Sequence, residues 1–357
     1  PKLRFKEFDG KWSRNILGNC CDIIMGQSPD SSSYNNNCIG LPLVQGNADM
    51  CERIATPQRY TSQPTKICEA GSIILSVRAP VGTVGKTFKK ICLGRGVCGI
   101  TSKNIEFMYQ YLLNNENSWR HIEQGGTFTA INSDDIKSFP IILPSLPEQQ
   151  KIADFLSLVD QRIKKQRQLV ESLKKYKRGL FSYYFQKNKS YKIARLGDFA
   201  KIYQPSTISQ SQFNDGKYKV FGANGYIGNY DKYNHAVPQV TISCRGEKCG
   251  TVNFVDAYTW ITGNSMVVNI DDQNEINKRY LYHCLSNQNL KYLVSGSAQP
   301  QIIRTDVARH SIPVPSIEFQ EKLSFFLDSI EQKIKNEQTM EECLFDMKNA
   351  LLQQMFI

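Results

Sequence analysis

Shifted by 171 positions against itself, the chain superimposes Ile131 to Phe185 on Ile302 to Phe356 without a gap, and 17 of the 55 paired residues are identical. The identities include Asp135 with Asp306, Pro144-Ser145 with Pro315-Ser316, Gln149 with Gln320, Lys151 with Lys322, Phe155-Leu156 with Phe326-Leu327, and Leu180 with Leu351. With gaps the repeat extends upstream: Leu17-Gly18 recurs as Leu196-Gly197, and Ile74 to Gly85 is answered by Thr241 to Asn253. A chain of 357 residues has room for two domains, and self-similarity over most of its length requires them to be two copies of one unit.

Each unit opens with a globular part, Trp12 to Ser145 and Tyr191 to Ser316, whose short β-branched runs are broken by Gly, Asn and Pro. Helical patches at Glu106 to Asn114 and Lys278 to Leu285 make the class α+β. Each unit closes with one long helix, started by Pro144 and Pro147 in the first copy and Pro313 and Pro315 in the second, because Pro is tolerated only at or before the first turn. The expected division is residues 1–145 and 188–316 as two globular heads, with 146–187 and 317–357 as the helices.

The helices are assigned by period. Ile152, Leu156, Val159, Ile163, Val170, Leu173, Leu180 and Tyr184 follow four-three spacing, interrupted by Gln166 and Lys177. The second copy answers with Leu323, Leu327, Ile330, Ile334, Leu344, Leu351 and Met355, with Glu337, Glu341 and Lys348 in register. At ~1.5 to 3 kcal/mol gross for each buried side chain, each seam demands a partner, and the simplest partner is the other helix. Charge agrees: residues 151–178 hold nine Lys or Arg against three acids, and residues 318–348 hold four against eight. Antiparallel pairing of the two helices would give a dumbbell of pseudo-two-fold symmetry. About 38 helical residues at 1.5 Å each span roughly 57 Å, one to two turns of duplex DNA between the heads.

Composition excludes much else. With 41% apolar and 22% charged residues the chain can build real cores. No apolar run is long enough for a membrane span, and Pro1 to Lys6 lacks a signal peptide's apolar core, so a cytoplasmic protein with no membrane partner is expected. Eleven cysteines without a CxxC pair argue for reduced thiols. His121, His235, His283 and His310 show no metal-ligand spacing, and neither a dinucleotide fingerprint nor an Asn-Pro-Pro-Tyr methyltransferase tetrad is present. No metal or catalytic residue is therefore expected. Pro80 to Thr87 misses a phosphate-binding loop only at its first glycine, but the matching Cys249 to Asn253 drops the Lys-Thr and no amphipathic helix follows. Asp134-Asp135 fits a nuclease pair less well than a cap before the Pro-led helix.

What remains points to nucleic acid. Residues 1–145 carry 16 positive against 12 negative side chains, and residues 191–316 carry 13 against 9. Loops at Gly26-Gln27-Ser28, Gln45-Gly46-Asn47, Asn224-Gly225 and Gln299-Pro300-Gln301 carry amides of the kind that read adenine edges. Arg78 and Arg245 occupy matching positions after a strand, where a guanidinium could clamp guanine or phosphate. With Lys86, Arg95, Thr127 and Lys248, these form the candidate set for DNA: Gln27, Ser28, Gln45, Asn47, Arg78, Asn224, Arg245, Gln299 and Gln301 complete it.

Several of these motifs carry a family likeness. Leu17-Gly18 followed by Gly26-Gln27-Ser28-Pro29, Glu69 to Ser76 running into Gly82-Thr83-Val84-Gly85, and Ile142 to Ala153 (ILPSLPEQQKIA) resemble the specificity subunit of type I restriction-modification systems over essentially the full chain. Tyr218 to Gly225 with Gly250-Thr251-Val252 resembles another version of the same head. The resemblance implies two target-recognition domains joined by long helices, each reading half of a bipartite, asymmetric DNA site. It implies a non-catalytic subunit carrying two methyltransferase subunits and, for cleavage, restriction subunits, with S-adenosylmethionine, ATP and magnesium on those partners and no cofactor on this chain. Glu148, Gln149 and Gln320, beside the seam residues, are the expected partner and coiled-coil positions, although Phe319 stands where the first copy has Glu148. The competing readings are a coiled-coil adaptor whose heads bind proteins, and an ATP-dependent enzyme using the near-miss loop. Equal affinity for target and scrambled duplex would favour the first, and nucleotide binding lost in Lys86→Ala would favour the second.

Overall fold

The structure, a computed structural model, describes residues 1–119, 130–187, 191–296 and 299–356. Contacts divide the chain into two units, Pro1–Arg167 with Thr339–Ile357, and Gln168–Gln338. Each unit therefore holds one head and a part of both long helices, Leu146–Lys187 and Ile317–Phe356.

In the first unit a six-stranded sheet runs, by neighbours, Cys21–Met25, Val97–Ser102, Ile73–Ser76, Val84–Lys86, Ile54–Ala55, Met50–Cys51. A five-stranded sheet holds Tyr34–Asn35, Tyr60–Thr61, Leu41–Val44, Ile91–Leu93 and Ile67–Cys68. Strand Ile73–Ser76 is buried throughout because both faces are covered: Ile73 and Leu75 join the main core, while Ile74 packs with Val44, Ile91, Leu93 and Val97 on the other side. Helix Ile105–Asn114 closes the main core with Phe107 and Leu112, and Asn104 caps it by accepting from the Phe107 amide.

The second unit repeats this plan with fewer strands. A four-stranded antiparallel sheet orders Lys201–Tyr203, Ser265–Asn269, Gln239–Ser243, Val252–Val255, and a three-stranded sheet orders Tyr226–Tyr230, Tyr218–Phe221, Trp260–Ile261. Helix Lys278–Asn287, capped by Asn277, takes the place of Ile105–Asn114. In both units a two-stranded ribbon ties the start of the head to the segment before the long helix: Ser13–Ile16 with Pro140–Leu143, and Lys192–Arg195 with Ser311–Val314. The repeated Leu-Gly follows from packing here. Leu17 and Leu196 are fully buried, and a Cβ at Gly18 or Gly197 would stand 3.1 Å from the carbonyl oxygen of Lys137 or Ala308.

Pairing of the long helices is antiparallel within each unit. In the first, Asp160 meets Lys348 and Arg167 meets Glu341. In the second, Val170 packs with Ile330 and Ile334, Lys177 meets Glu331, and the Tyr184 and Phe319 rings lie 5.8 Å apart. The fold is thus α+β with paired long helices, and the helices do more than pair with each other. Ile152, Leu156, Leu352 and Met355 belong to the first head's core, and Leu323 and Leu327 to the second's. Five expected seam positions, Leu173, Leu180, Tyr184, Leu344 and Leu351, are only half-buried, and Leu352 is the buried neighbour of Leu351.

Glu148, Gln149 and Gln320, expected at partner and coiled-coil positions, are internal in the structure, 1%, 8% and 0% exposed. Gln149 Nε2 donates to the Pro144 carbonyl at 3.0 Å and Gln320 Nε2 to that of Pro315 at 2.9 Å, so the repeated Pro-Ser-x-x-x-Gln is a helix-start device. Glu148 is held by Arg4 Nε at 2.7 Å and Nη2 at 2.8 Å, whereas its counterpart Phe319 joins the rings of Tyr184, Phe185 and Tyr191. Asp135 completes a capping box on Asn132, accepting from its amide at 3.0 Å. Among the described residues, no helix is long and apolar enough to cross a membrane.

Candidate DNA-reading loops

Four separated loops of the first head meet through backbone contacts. Gly26 N–H donates to Val97 O at 3.0 Å, Gln27 N–H to Leu93 O at 2.9 Å, Gly94 N–H to Val44 O at 2.7 Å and Val77 N–H to Gly96 O at 2.9 Å. Glycine is required for this because the chains nearly touch: a Cβ at Gly26 would collide with Gly94 O, and one at Gly96 with Gln45 O. Asp49 fixes the turn beside them by accepting from Gln45 N–H at 2.6 Å. The result groups Gln27, Ser28, Gln45, Asn47, Arg78 and Arg95, with Arg95 exposed between buried Gly94 and Gly96. The Ser28 hydroxyl accepts from Arg95 N–H at 3.2 Å.

The second head builds the same junction with different side chains. Arg78 bridges to Ala130 and Arg245 to Gln301, one step before Ile131 N–H donates to Val77 O at 3.0 Å and Ile302 N–H to Cys244 O at 3.1 Å. Cys244 N–H donates to Asn264 O at 3.0 Å, the counterpart of Val77 to Gly96. Arg245, Lys248, Gln299 and Gln301 are exposed on this junction. Asn224 sits in the neighbouring turn, whose Ala223 carbonyl accepts from Ser265 Oγ at 3.1 Å, and its own Oδ1 is buried without a hydrogen-bond partner. Two residues at this junction, Gln204 and Asn264, escape a reading of the sequence. Gln204 directly follows strand Lys201–Tyr203 and donates to Gly263 O at 3.1 Å, a contact between segments far apart in sequence that no local pattern marks. Thr127 and His121 lie outside the described residues.

The fold separates cations that it neutralises from those that it leaves. Arg53 is forked onto Glu116, with Nη2 at 3.0 Å. Lys86 pairs with Glu106 at 2.5 Å and lies 4.1 Å over the Tyr109 ring, so its charge is balanced within the head. Its loop is also no phosphate cradle: Gly82, at φ +87°, turns strand Ile73–Ser76 back into the antiparallel strand Val84–Lys86, so strand follows turn and no helix N-terminus faces a ligand. Among the described residues Arg78, Arg95, Arg245 and Lys248 have no ion-pair partner. Burial of a charge demands a partner, and an exposed charge left unpaired on a loop is free to meet phosphate or a base.

Beneath each head, where its helix meets both long helices, lies a polar junction. In the first unit Asp160 accepts from Lys348 Nζ at 2.5 Å and from buried Gln110 Nε2 at 2.7 Å. In the second, Glu331 accepts from Lys177 Nζ at 2.9 Å and from Tyr282 OH at 2.5 Å. Asp328 beside it takes His283 Nε2 at 2.7 Å and Arg279 Nε at 3.0 Å. Burial pushes the Asp328 carboxyl up, and the hydrogen bonds from His283 and Arg279 outweigh it, bringing the pKa down to about 2. His283, Asp328 and Glu331 gather in space three donors that could hold a metal, although their sequence spacing gives no hint of it. Both carboxylates are already balanced by Arg279 and Lys177, and a divalent ion would add two uncompensated charges to a partly buried network.

Comparison with known proteins places this architecture. The family described as type I restriction modification DNA specificity domain matches twice, over residues 10–175 and 188–344. A Methanocaldococcus jannaschii protein whose name includes the words type I restriction enzyme MjaX specificity subunit is 37% identical over 187 residues, 51% of this chain and 44% of that one. The chain thus spans less than half the length of that relative. The type I restriction enzyme MjaIX specificity subunit of the same organism is 26% identical, over 84% of this chain and 80% of its own. The crystal structure of a type I restriction-modification S subunit from M. genitalium shares the fold at a TM-score of 0.66 and 17% identity, covering 100% of this chain and 99% of that one. Two matched domains, each with its loop junction and its share of the paired helices, make this chain a member of the type I restriction-modification DNA specificity family.

Proposed function

We propose that the chain reads a bipartite, asymmetric DNA target, one half-site for each head, and carries two methyltransferase subunits to it, with restriction subunits joining for cleavage. The observation that supports this reading is the pair of loop junctions. The backbone ladder at Arg78 and Arg245 is shared, while the side chains around it differ: Gln27, Gln45, Asn47 and Arg95 in one head, Asn224, Lys248, Gln299 and Gln301 in the other. A common scaffold suits a common task on duplex DNA, and different donors suit different bases. The chain itself supplies positioning and no chemistry. S-adenosylmethionine, ATP and magnesium belong to the partners, and the complex works in the cytoplasm. Because Glu148, Gln149 and Gln320 are internal, the partner surface is assigned to exposed apolar side chains of the long helices, such as Leu158 in the first unit and Phe325 and Phe326 in the second.

The test is to map modified adenines across the genome in cells with and without this gene. A split motif that disappears with the gene is expected. Exchanging residues 12–145 for another head of the family should change one half of that motif; an unchanged methylated sequence would refute the assignment of the first head.

A further inference from the structure

The two polar junctions obey the repeat. Lys177 and Lys348 are identical residues at matching positions, and Asp160 and Glu331 also match, so each unit pairs the lysine of one copy with the acid of the other. Both lysines stand at seam positions where the period calls for an apolar residue. Their side chains are 13% and 8% exposed. Burying an ammonium there is a poor way to gain stability, since well-packed apolar residues in place of such a pair are commonly neutral or stabilising. What an ion pair in a seam does supply is register, because sliding one helix strands the charge among apolar neighbours. Each acid also binds the head helix, Asp160 through Gln110 and Glu331 through Tyr282, so the lock fixes the head to the helices as well as one helix to the other.

We infer that Asp160–Lys348 and Glu331–Lys177 are register pins, whose role is to restrict the complex to one spacing between its two half-sites. These are positioning residues, and the inference rests on the bipartite reading above. The experiment uses the full chain assembled with its methyltransferase subunits and a set of duplexes in which the gap between half-sites is varied one base pair at a time. Native complex should prefer one gap over its neighbours by about tenfold or more, the equivalent of ~1.4 kcal/mol. With the second pin neutralised by Lys177→Met and Glu331→Gln, the paired change Asp160→Leu with Lys348→Met should keep the melting temperature and the preference for each half-site, while the gap preference falls to about twofold. On the same background the charge exchange Asp160→Lys with Lys348→Asp, which keeps a pair, should restore much of it. Unaltered gap preference in the apolar variant would overturn the inference, as would failure of both variants to fold, since the pair would then serve stability. Absence of sequence-dependent methylation by the native complex would instead refute the bipartite reading.

Discussion

Gly96→Ala is the sharpest test of how the loop junction is built. A Cβ at Gly96 would lie against Gln45 O, roughly 1 Å inside an ordinary carbon–oxygen separation, with the Gln45 carbonyl carbon at 3.3 Å behind it. Both obstacles are backbone, so the Gln45–Asn47 loop has to move by about that amount. Hydrogen bonds tolerate a window of only ~0.5 Å, and a displaced loop loses its base contacts, each worth ~1–3 kcal/mol. Binding of the intact target should weaken about 5- to 150-fold. Overpacking of this kind costs ~1–3 kcal/mol of stability, a fall of about 2–4 °C in Tm per kcal/mol for a unit of this size. The assay is competition between native target and duplexes scrambled in one half-site. The variant's defect should vanish on a duplex whose first half-site is already scrambled, because that contact is already lost. Gly10→Ala, with nothing within 4 Å of its Cβ, is the control. Native affinity in Gly96→Ala, or an equal defect on both half-sites, would refute the idea that backbone packing at Gly96 positions the reading loops.

Arg78→Ala and Arg245→Ala should each weaken binding by ~1–3 kcal/mol and lower the salt slope by about one, with Tm unchanged, as titration in rising salt would reveal. Arg53→Ala should do the reverse, lowering Tm because Glu116 loses its partner, with little effect on the salt slope. Leu156→Ala, at a fully buried site shared by the long helix and the head core, should cost ~2–5 kcal/mol by denaturant titration. Acid should weaken the second unit in two stages. Burial holds the His283 imidazole below its ordinary pKa, against the pull of Asp328, so stability falls as the pH drops below about 6.5, where the unfolded chain takes up the proton. Asp328, depressed to about 2, adds a second loss from about pH 4 downward. Asp328→Asn should shrink that second stage in the pH dependence of Tm, leaving the smaller share that Glu331 and Asp271, also held below their ordinary pKa, contribute.

The repeat, the α+β class and the long helices with their Pro-led starts were all legible in the amino-acid order, because period and turn chemistry are local properties that a chain carries with it. Gln27, Ser28, Gln45, Asn47 and Arg95 could be singled out by residue type, yet nothing local says that loops so far apart in sequence share one surface. That is decided by glycines whose missing Cβ lets two backbones touch. Charge was legible only as a sum. Lys86 and Arg78 look equally cationic in the sequence, and the fold neutralises the first with Glu106 while leaving the second exposed, since pairing depends on which side chains burial brings within reach. The same holds for Glu148, Gln149 and Gln320, polar residues whose chemistry suggests an exposed surface and that the turn before each long helix draws in. Local pattern determines which elements form; the desolvation of polar groups, settled only when those elements pack, decides which residues remain to act.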